Sequence, residues 1–338
     1  MRVEKLKSGS RDKTKSLVKG RVLFYEPLSQ HTSFCIGGPA DYWVEPEDLE
    51  DLKRVLKFAS AKHFPWRVLG RGTNILARDE GFRGIIINLK GDYFQEVEFR
   101  TSRVIAGAGA PLSRLVWEAA QRGLRGLEFA VGIPGTVGGA VVMNAGMGEH
   151  SLAEVVNKIE VLNEEGKILT LKREEIGFRY RGSRLSPGRS AGRVRDADRV
   201  ILKAELELQK GDKGDIENLM SEFRERRNMS QPLSEPNAGS IFKNPPGELS
   251  AGELIEEARL KGAQAGEAQI SPRHANFIVN RGNAKAEDVI SLVERVRRVI
   301  RERKGIELEL EIEIIGAGAP TFPKAPAAVK GDQGRPYA

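Results

Sequence analysis

Residues 132–148 read GIPGTVGGAVVMNAGMG, with six glycines, one proline and no charged side chain. Ordering such a run is entropically costly, because glycine loses more conformational freedom on folding than any other residue. A fold that keeps it must use it where the backbone turns sharply or comes close to something else. A second glycine-flanked segment, Gly70-Arg71-Gly72-Thr73-Asn74-Ile75-Leu76, follows the strand-like residues 67–69. Taken singly, either loop reads equally well as a tight turn at the end of a buried strand. Together they point to a bulky anion held by main-chain N–H donors, such as a dinucleotide pyrophosphate. The familiar nucleotide fingerprints are missing. Gly70-Arg71-Gly72 lacks the third glycine of G-x-G-x-x-G, and no G-x-x-x-x-G-K-[ST] occurs. A Rossmann dehydrogenase and a P-loop NTPase are therefore disfavoured.

At 338 residues the chain is long enough for two or three cores. Its hydrophobic fraction of 40% and charged fraction of 30% are those of a soluble globular protein. No apolar stretch reaches the roughly 18–20 residues of a membrane helix. The first residues are charged and lack an apolar segment, so no secretory signal is expected. A single cysteine, Cys35, excludes an internal disulfide and any cysteine-only metal cage. These features lead to the expectation of a cytoplasmic protein without membrane insertion. The net charge of +7 is concentrated at the ends. Residues 1–21 hold eight Lys/Arg against two acids, and residues 317–338 hold three against one. Both segments are expected to be disordered tails, with the rest of the chain near neutrality. Nucleic-acid binding as the main role is thereby disfavoured.

The elements read as mixed α and β. Helical spacing covers 47–59, and strands are expected at 67–69 and 85–89. Residues 97–99 and 103–106 form a hairpin pattern. A helix starts at Pro111 and stops at Gly123. Strands at 159–162 and 167–171 flank Asn163-Glu164-Glu165-Gly166, and another strand covers 200–208. The polar, glycine-containing residues 211–215 form the expected domain boundary. Beyond them come a helix at 216–227, a glycine- and proline-punctuated stretch at 231–247, and a helix at 254–259. A strand at 276–280 and a helix at 286–303 follow. The last strand, 306–314, alternates Ile and Leu with Glu307, Glu309, Glu311 and Glu313.

Three stretches carry chemistry. Tyr180-Arg181-Gly182-Ser183 precedes a basic loop holding Arg184, Arg189, Arg193 and Arg195. An arginine beside bound substrate stabilises a carboxylate-derived enolate with its always-charged fork. Residues 238–245, AGSIFKNP, set Ser240, Lys243 and Asn244 close together. A serine near a cation in an enclosed site can donate a proton, though a capping turn explains the same residues. The glutamates of the last strand read as a solvated face, and His274 and Asn276 as substrate contacts or loop termini. His31, His63 and His150 lack metal-ligand spacing, and neither H-E-x-x-H nor G-x-S-x-G occurs. No metal site is expected.

Read in order, these segments resemble the UDP-N-acetylenolpyruvoylglucosamine reductase family of bacterial cell-wall synthesis over nearly all of 23–316. The carrying stretches are PLSQHTS from Pro27, GGPAD from Gly37, GRGTNIL from Gly70 and GLEFAVGIPGTVGGAVVMNAG from Gly126. GFRYRGSR from Gly177, QPLSEPNAGSIFKNP from Gln231 and HANFIVN from His274 follow. The resemblance implies an α+β fold. A two-lobed FAD-binding domain of the vanillyl-alcohol-oxidase type would occupy 22–210, with lobes at about 22–92 and 93–210. A smaller α+β substrate domain would occupy 211–316. The implied activity is NADPH-dependent reduction, through FAD, of the enolpyruvyl group of a UDP-N-acetylglucosamine derivative, by a monomer.

Carried over onto matching motifs, the implied catalytic residues are Arg181, Ser240 and Glu311, with a slip of two to Glu309 or Glu313 left open. The implied cofactor contacts are Gly70, Arg71, Gly72, Thr73, Asn74, Ile75 and Leu76. From the long glycine run they are Gly132, Ile133, Pro134, Gly135, Thr136, Gly138, Gly139, Ala140, Asn144, Ala145 and Gly146. Tyr180, Lys243, Asn244, His274 and Asn276 are implied substrate contacts. The insertion after Arg181 is longer than the compact form of the family usually carries and shorter than that of the larger form, which favours the compact subclass. Two rivals stand beside this reading: another flavin oxidoreductase of the same fold, such as a sugar or alcohol oxidase, and a non-catalytic flavoprotein.

Overall fold

A computed structural model describes residues 18–163, 165–186 and 199–316. The tails 1–17 and 317–338, and with them Arg189, Arg193 and Arg195, lie outside the described residues, as does most of the insertion used to favour the compact subclass. The chain forms two compact units, interleaved along the sequence. The first comprises 1–26, 40–70 and 83–223, the second 27–39, 71–82 and 224–338. The second unit thus takes two short pieces from the N-terminal third of the chain. One of them begins inside the first glycine loop, after Gly70.

Among the described residues the first unit carries two larger sheets and two two-stranded ones. One larger sheet has four strands in the order Arg21–Pro27, Pro39–Glu45, Phe82–Ile87, Trp66–Val68. The other has five, in the order Ile168–Lys172, Val156–Leu162, Val200–Glu207, Arg103–Gly107, Val97–Arg100, with antiparallel pairing throughout. Helices Leu49–Lys62 and Leu112–Gln121 bury the faces that their spacing indicates: Leu52, Val55, Leu56 and Ala59 on one, Leu112, Leu115, Val116 and Ala119 on the other. These side chains join one core with Ile85, Ile87, Val104, Ala106, Ile159 and Leu202.

Two boundary expectations change. Residues 18–21 are not part of a tail. Val18 is buried in the core, Arg21 opens a strand, and the N–H groups of Lys19 and Gly20 donate to Asp51 at 2.9 Å each. Asp51 is wholly buried and also accepts from Glu47 N–H at 3.1 Å and from Arg54. Burial opposes its charge, but these donors outweigh that cost and hold the carboxyl below its ordinary pKa. The expected linker at 211–215 also differs, because helix Lys213–Ser230 begins inside it. Asp212 starts that helix, its Oδ1 accepting from Asp215 N–H at 3.1 Å.

The second unit has its own core, built on helices Ala251–Glu257 and Ala286–Lys304 with Phe34, Ile36, Leu76, Ile241, Phe242, Leu308 and Ile312. A three-stranded antiparallel sheet, Gln264–Ala265, Ala268–Ile270 and Ile278–Asn280, lies within it. The expected final strand is shorter than 306–314. Only Glu313–Ile315 is a strand, and it pairs in parallel with Ile75–Ala77. Among the described residues no helix is long and apolar enough to cross a membrane.

Candidate active site

Within the first unit the long glycine run wraps a short helix, Val137–Met143. Thr136 caps its start, Oγ1 accepting from Gly139 N–H at 3.3 Å, and Asn144 ends it in the left-handed region at φ 43°. Part of the glycine requirement is steric rather than ligand-directed. A Cβ on Gly138 would stand 2.9 Å from that of Ala108, and Gly138 N–H already donates to Ala108 O at 2.8 Å. A Cβ on Gly146 would collide with His150 O. Gly132, Pro134 and Gly139 are exposed, whereas Ala140 is buried. A Cβ on Gly70 would fall 2.7 Å from Thr136 Oγ1, so the two glycine loops meet at these residues. Exposed main chain without charge or bulky side chains is the surface a pyrophosphate needs.

The remaining residues of the first loop belong to the second unit, where several serve its architecture. Gly72, at φ 61°, has no room for a Cβ beside His31 O, and Leu76 is fully buried. Asn74 Nδ2 donates to Glu311 O at 3.0 Å, and Glu313 N–H donates to Asn74 O at 2.9 Å. Arg71 is exposed, while Thr73 and Ile75 are half-buried.

Arg181 sits in the first unit at the tip of a tight turn. Arg179 N–H donates to Gly182 O at 2.9 Å and Gly182 N–H returns to Arg179 O at 3.2 Å, which leaves Tyr180 and Arg181 at the corner. Arg181 has φ 49°, a left-handed conformation that costs a non-glycine residue roughly 1–2 kcal/mol. Its guanidinium carbon lies 5.1 Å from the Tyr180 ring centroid.

Ser240 and the glutamates belong to the second unit, where three segments distant in sequence run together. Ser240 bridges Phe277 and Phe242 bridges Leu310, both antiparallel. Ile241 N–H donates to Asn276 O at 2.8 Å, Glu311 N–H to Ile241 O at 2.8 Å and Lys243 N–H to Glu309 O at 2.9 Å. Buried Asn276 completes the lattice with its side chain, Oδ1 accepting from Phe242 N–H at 2.9 Å and Nδ2 donating to Phe242 O at 2.7 Å. Asn237 shapes the approach to Ser240, its Oδ1 accepting from Gly239 N–H at 2.9 Å.

The glutamates are not one solvated face. Glu307 lies 3.3 Å from Arg301 and 3.6 Å from Arg297, and Glu309 lies 3.5 Å from Lys243 Nζ, whose side chain is only 9% exposed. Glu311 is half-buried, with its N–H and C=O both tied down. His274 is pushed below its ordinary pKa, mainly by burial and further by the Lys261 charge, and its Nδ1 accepts from Asn276 N–H at 3.2 Å. Asn244 is exposed, and its Oδ1 accepts from Ala251 N–H at 3.1 Å. Among the described residues no cluster of His, Cys, Asp and Glu is arranged to hold a metal.

Sequence reasoning missed three supports of these sites: Asn237 at the serine, Asn74 at the glutamate, and the Ser183/Ser186 pair behind the arginine. The signal for the last was present as two serines three apart just after Arg181, but that spacing is equally common in plain turns.

Residues 231–315 match the family model of the UDP-N-acetylenolpyruvoylglucosamine reductase C-terminal domain, and residues 40–172 match an FAD binding domain. Among curated relatives, the UDP-N-acetylenolpyruvoylglucosamine reductase of Heliobacterium modesticaldum is 44% identical over 88% of this chain and 92% of its own. Reductase 2 of Symbiobacterium thermophilum is 44% identical over 92% of this chain and 98% of its own. A crystal structure of the Thermus caldophilus reductase superimposes with a TM-score of 0.73 at 40% identity, covering 88% of this chain and 98% of that one. BBE-like 1 of Physcomitrella patens, at 12% identity and a TM-score of 0.53 over 86% of this chain and 88% of its own, shares the fold alone. The architecture is thus a two-domain α+β fold. With relatives 44% identical over 88% and 92% of its length, the chain belongs to the UDP-N-acetylenolpyruvoylglucosamine reductase family.

Proposed function

We propose that this protein uses FAD and NADPH to reduce the enolpyruvyl ether of UDP-N-acetylglucosamine-enolpyruvate to UDP-N-acetylmuramate, a step in peptidoglycan precursor synthesis. The observation that carries the reading is the second unit's lattice, which assembles Ser240, Lys243, Asn276 and Glu311 from three separate segments inside a family-matched domain. The first unit, holding most of the matched FAD-binding segment, is the flavin-binding part, and the second is the part that recognises the nucleotide sugar. FAD, when bound, would supply the hydride that the substrate's vinyl group takes up.

The chain's own residues do the rest. Exposed main chain at Gly132 and Gly139, with half-buried Gly70 next to Thr136, would accommodate the pyrophosphate. Arg181 stabilises the enediolate that forms as electron density moves into the substrate carboxylate. Glu311 also acts on the enediolate, and Ser240 Oγ delivers a proton to the α-carbon. One hydride and one proton saturate the double bond. We prefer Glu311 to Glu309 because Glu309 already answers the charge of buried Lys243. Lys243, Asn244, His274 and Tyr180 are the remaining substrate contacts of this reading. The enzyme is read as cytoplasmic and monomeric, the latter checked by light scattering on a sizing column.

The central test is an absorbance spectrum of the purified holoenzyme. The flavin bands should bleach with NADPH in the absence of oxygen and return when the enolpyruvyl substrate is added. A colourless protein after refolding with FAD, or no return of the flavin bands when the enolpyruvyl substrate is added without oxygen, would overturn the reading.

A further inference from the structure

The arginine turn has nothing covalent to hold its left-handed corner, yet the described structure surrounds it with buried polar clamps. Asn144, only 6% exposed, spans two segments: Oδ1 accepts from Ala153 N–H at 2.9 Å and Nδ2 donates to Arg179 O at 3.0 Å. Behind the turn, Ser183 and Ser186 both donate their hydroxyl protons to Val142 O at 2.9 Å. That carbonyl lies in the last turn of helix Val137–Met143, where no intrahelical N–H reaches it. Ser183 is fully buried, and its Oγ also accepts from Leu185 N–H at 3.2 Å, while Ser186 Oγ accepts from Ser183 N–H at 3.0 Å. Arg179 Nη2 closes the loop on Ser183 O at 2.9 Å. Every one of these bonds ends on the residues that flank Tyr180 and Arg181, or on the end of the short glycine-run helix.

We infer that Asn144 and Ser183 are positioning residues for Arg181, fixing the turn that carries it to the end of helix Val137–Met143. Asn144 therefore acts on the arginine and not as the cofactor contact its motif suggests. A left-handed arginine at a tight corner relaxes unless its neighbours over-determine it, and strain retained in this way accompanies preorganised sites. Preorganisation matters here because an arginine that must first be ordered gives up part of its transition-state stabilisation, and small misplacements of such groups have large kinetic effects.

This inference rests on the proposed role of Arg181, and the test keeps the two apart. Stopped-flow on holoenzyme measures flavin reduction by NADPH and flavin reoxidation by the enolpyruvyl substrate in wild type, Asn144→Asp, Ser183→Ala, Arg181→Ala and the double variant Asn144→Asp/Arg181→Ala. Aspartate keeps the left-handed backbone and the acceptor for Ala153 but replaces the donor to Arg179 O. Asn144→Asp and Ser183→Ala should retain flavin and normal reduction by NADPH. Their reoxidation should slow by about tenfold or more. In the Arg181→Ala background, Asn144→Asp should add nothing, since a residue that acts through another has no effect once that one is gone.

Reoxidation at wild-type rate in both single variants overturns the inference, as does loss of flavin in both, which would make the clamps cofactor supports. Losses that multiply in the double variant also overturn it. If Arg181→Ala itself reoxidises normally, the arginine's proposed role falls and the inference falls with it. Should Asn144→Asp alone lose its flavin, Ser183→Ala with its own Arg181→Ala double decides by the same criteria.

Discussion

The turn that carries Arg181 and the segment that carries Ser240 solve the same problem in different ways. The arginine turn is held by side chains: an asparagine amide, two serine hydroxyls and a neighbouring guanidinium. The serine segment is held mainly by main-chain bonds from both flanks, at Asn276 on one side and at Glu309 and Glu311 on the other. Asn276 contributes a side chain to that lattice, its amide imitating a strand by bonding both N–H and C=O of Phe242, with Asn237 and Asn74 bonding at its edges. A main-chain lattice tolerates changes of side chain, so Ser240 can be altered without disturbing its surroundings. A side-chain clamp does not, and its residues are constrained by the turn they hold.

The largest expected effect tests the tolerant half. Ser240→Ala should leave flavin reduction by NADPH intact and slow reoxidation by substrate at least ~10²-fold, the usual contribution of a general acid. Its stability should fall by no more than ~1 kcal/mol, as for one lost hydrogen bond. Near-normal reoxidation in stopped-flow would remove Ser240 from the chemistry and leave its segment as a turn.

Asn276→Leu attacks the side chain that bonds both polar groups of Phe242. It leaves both polar groups of Phe242 buried without partners, at about 1–3 kcal/mol for each. Chemical denaturation should show a loss of that order. A loss below ~1 kcal/mol would mean that the flanking main-chain bonds suffice and that the contrast between the two regions is even sharper.

Asp51 extends the comparison to a clamp with no catalytic residue attached. Deleting residues 1–17 should change neither activity nor melting temperature appreciably. Deleting 1–20 removes two N–H donors from a buried carboxylate and should cost about 1–3 kcal/mol, with kcat/KM unchanged at temperatures where the protein stays folded. Equal melting temperatures for the two truncations would show that Glu47 and Arg54 hold Asp51 unaided.

The smallest effect concerns pH. The folded-state pKa of His274 lies below its ordinary value of 6.5. Between the two values the unfolded chain binds more protons, so stability is fully present above about pH 6.5 and declines as pH falls through that window. Protonation would also disrupt the bond from Asn276 N–H, which needs an unprotonated Nδ1. Comparing melting curves of wild type and His274→Gln across this range should show a shallower acid decline in the variant. Identical slopes would show that His274 does not anchor Asn276.

Much of this protein is legible in the sequence because the relevant physics is local. The hairpins at 97–106 and 156–172, the amphipathic helices, and the buried faces of those helices follow from periodicity and turn chemistry. The candidate residues were named by motif resemblance to the family, and Ser240, Lys243, Asn276 and Glu311 come from three separate segments. What the sequence left out depended on partners far along the chain. Glu307 and Glu309 alternate as an exposed strand would, yet Arg297, Arg301 and Lys243 claim them. Asn74 and Asn144 stand in glycine loops as ligand contacts would, and their amides also donate to Glu311 O and Arg179 O. A polar side chain in a loop looks the same from the sequence whether it faces a ligand or a carbonyl. Buried donors and acceptors must be paired, and which group pairs with which is decided only when tertiary contacts bring segments such as 74 and 311 together.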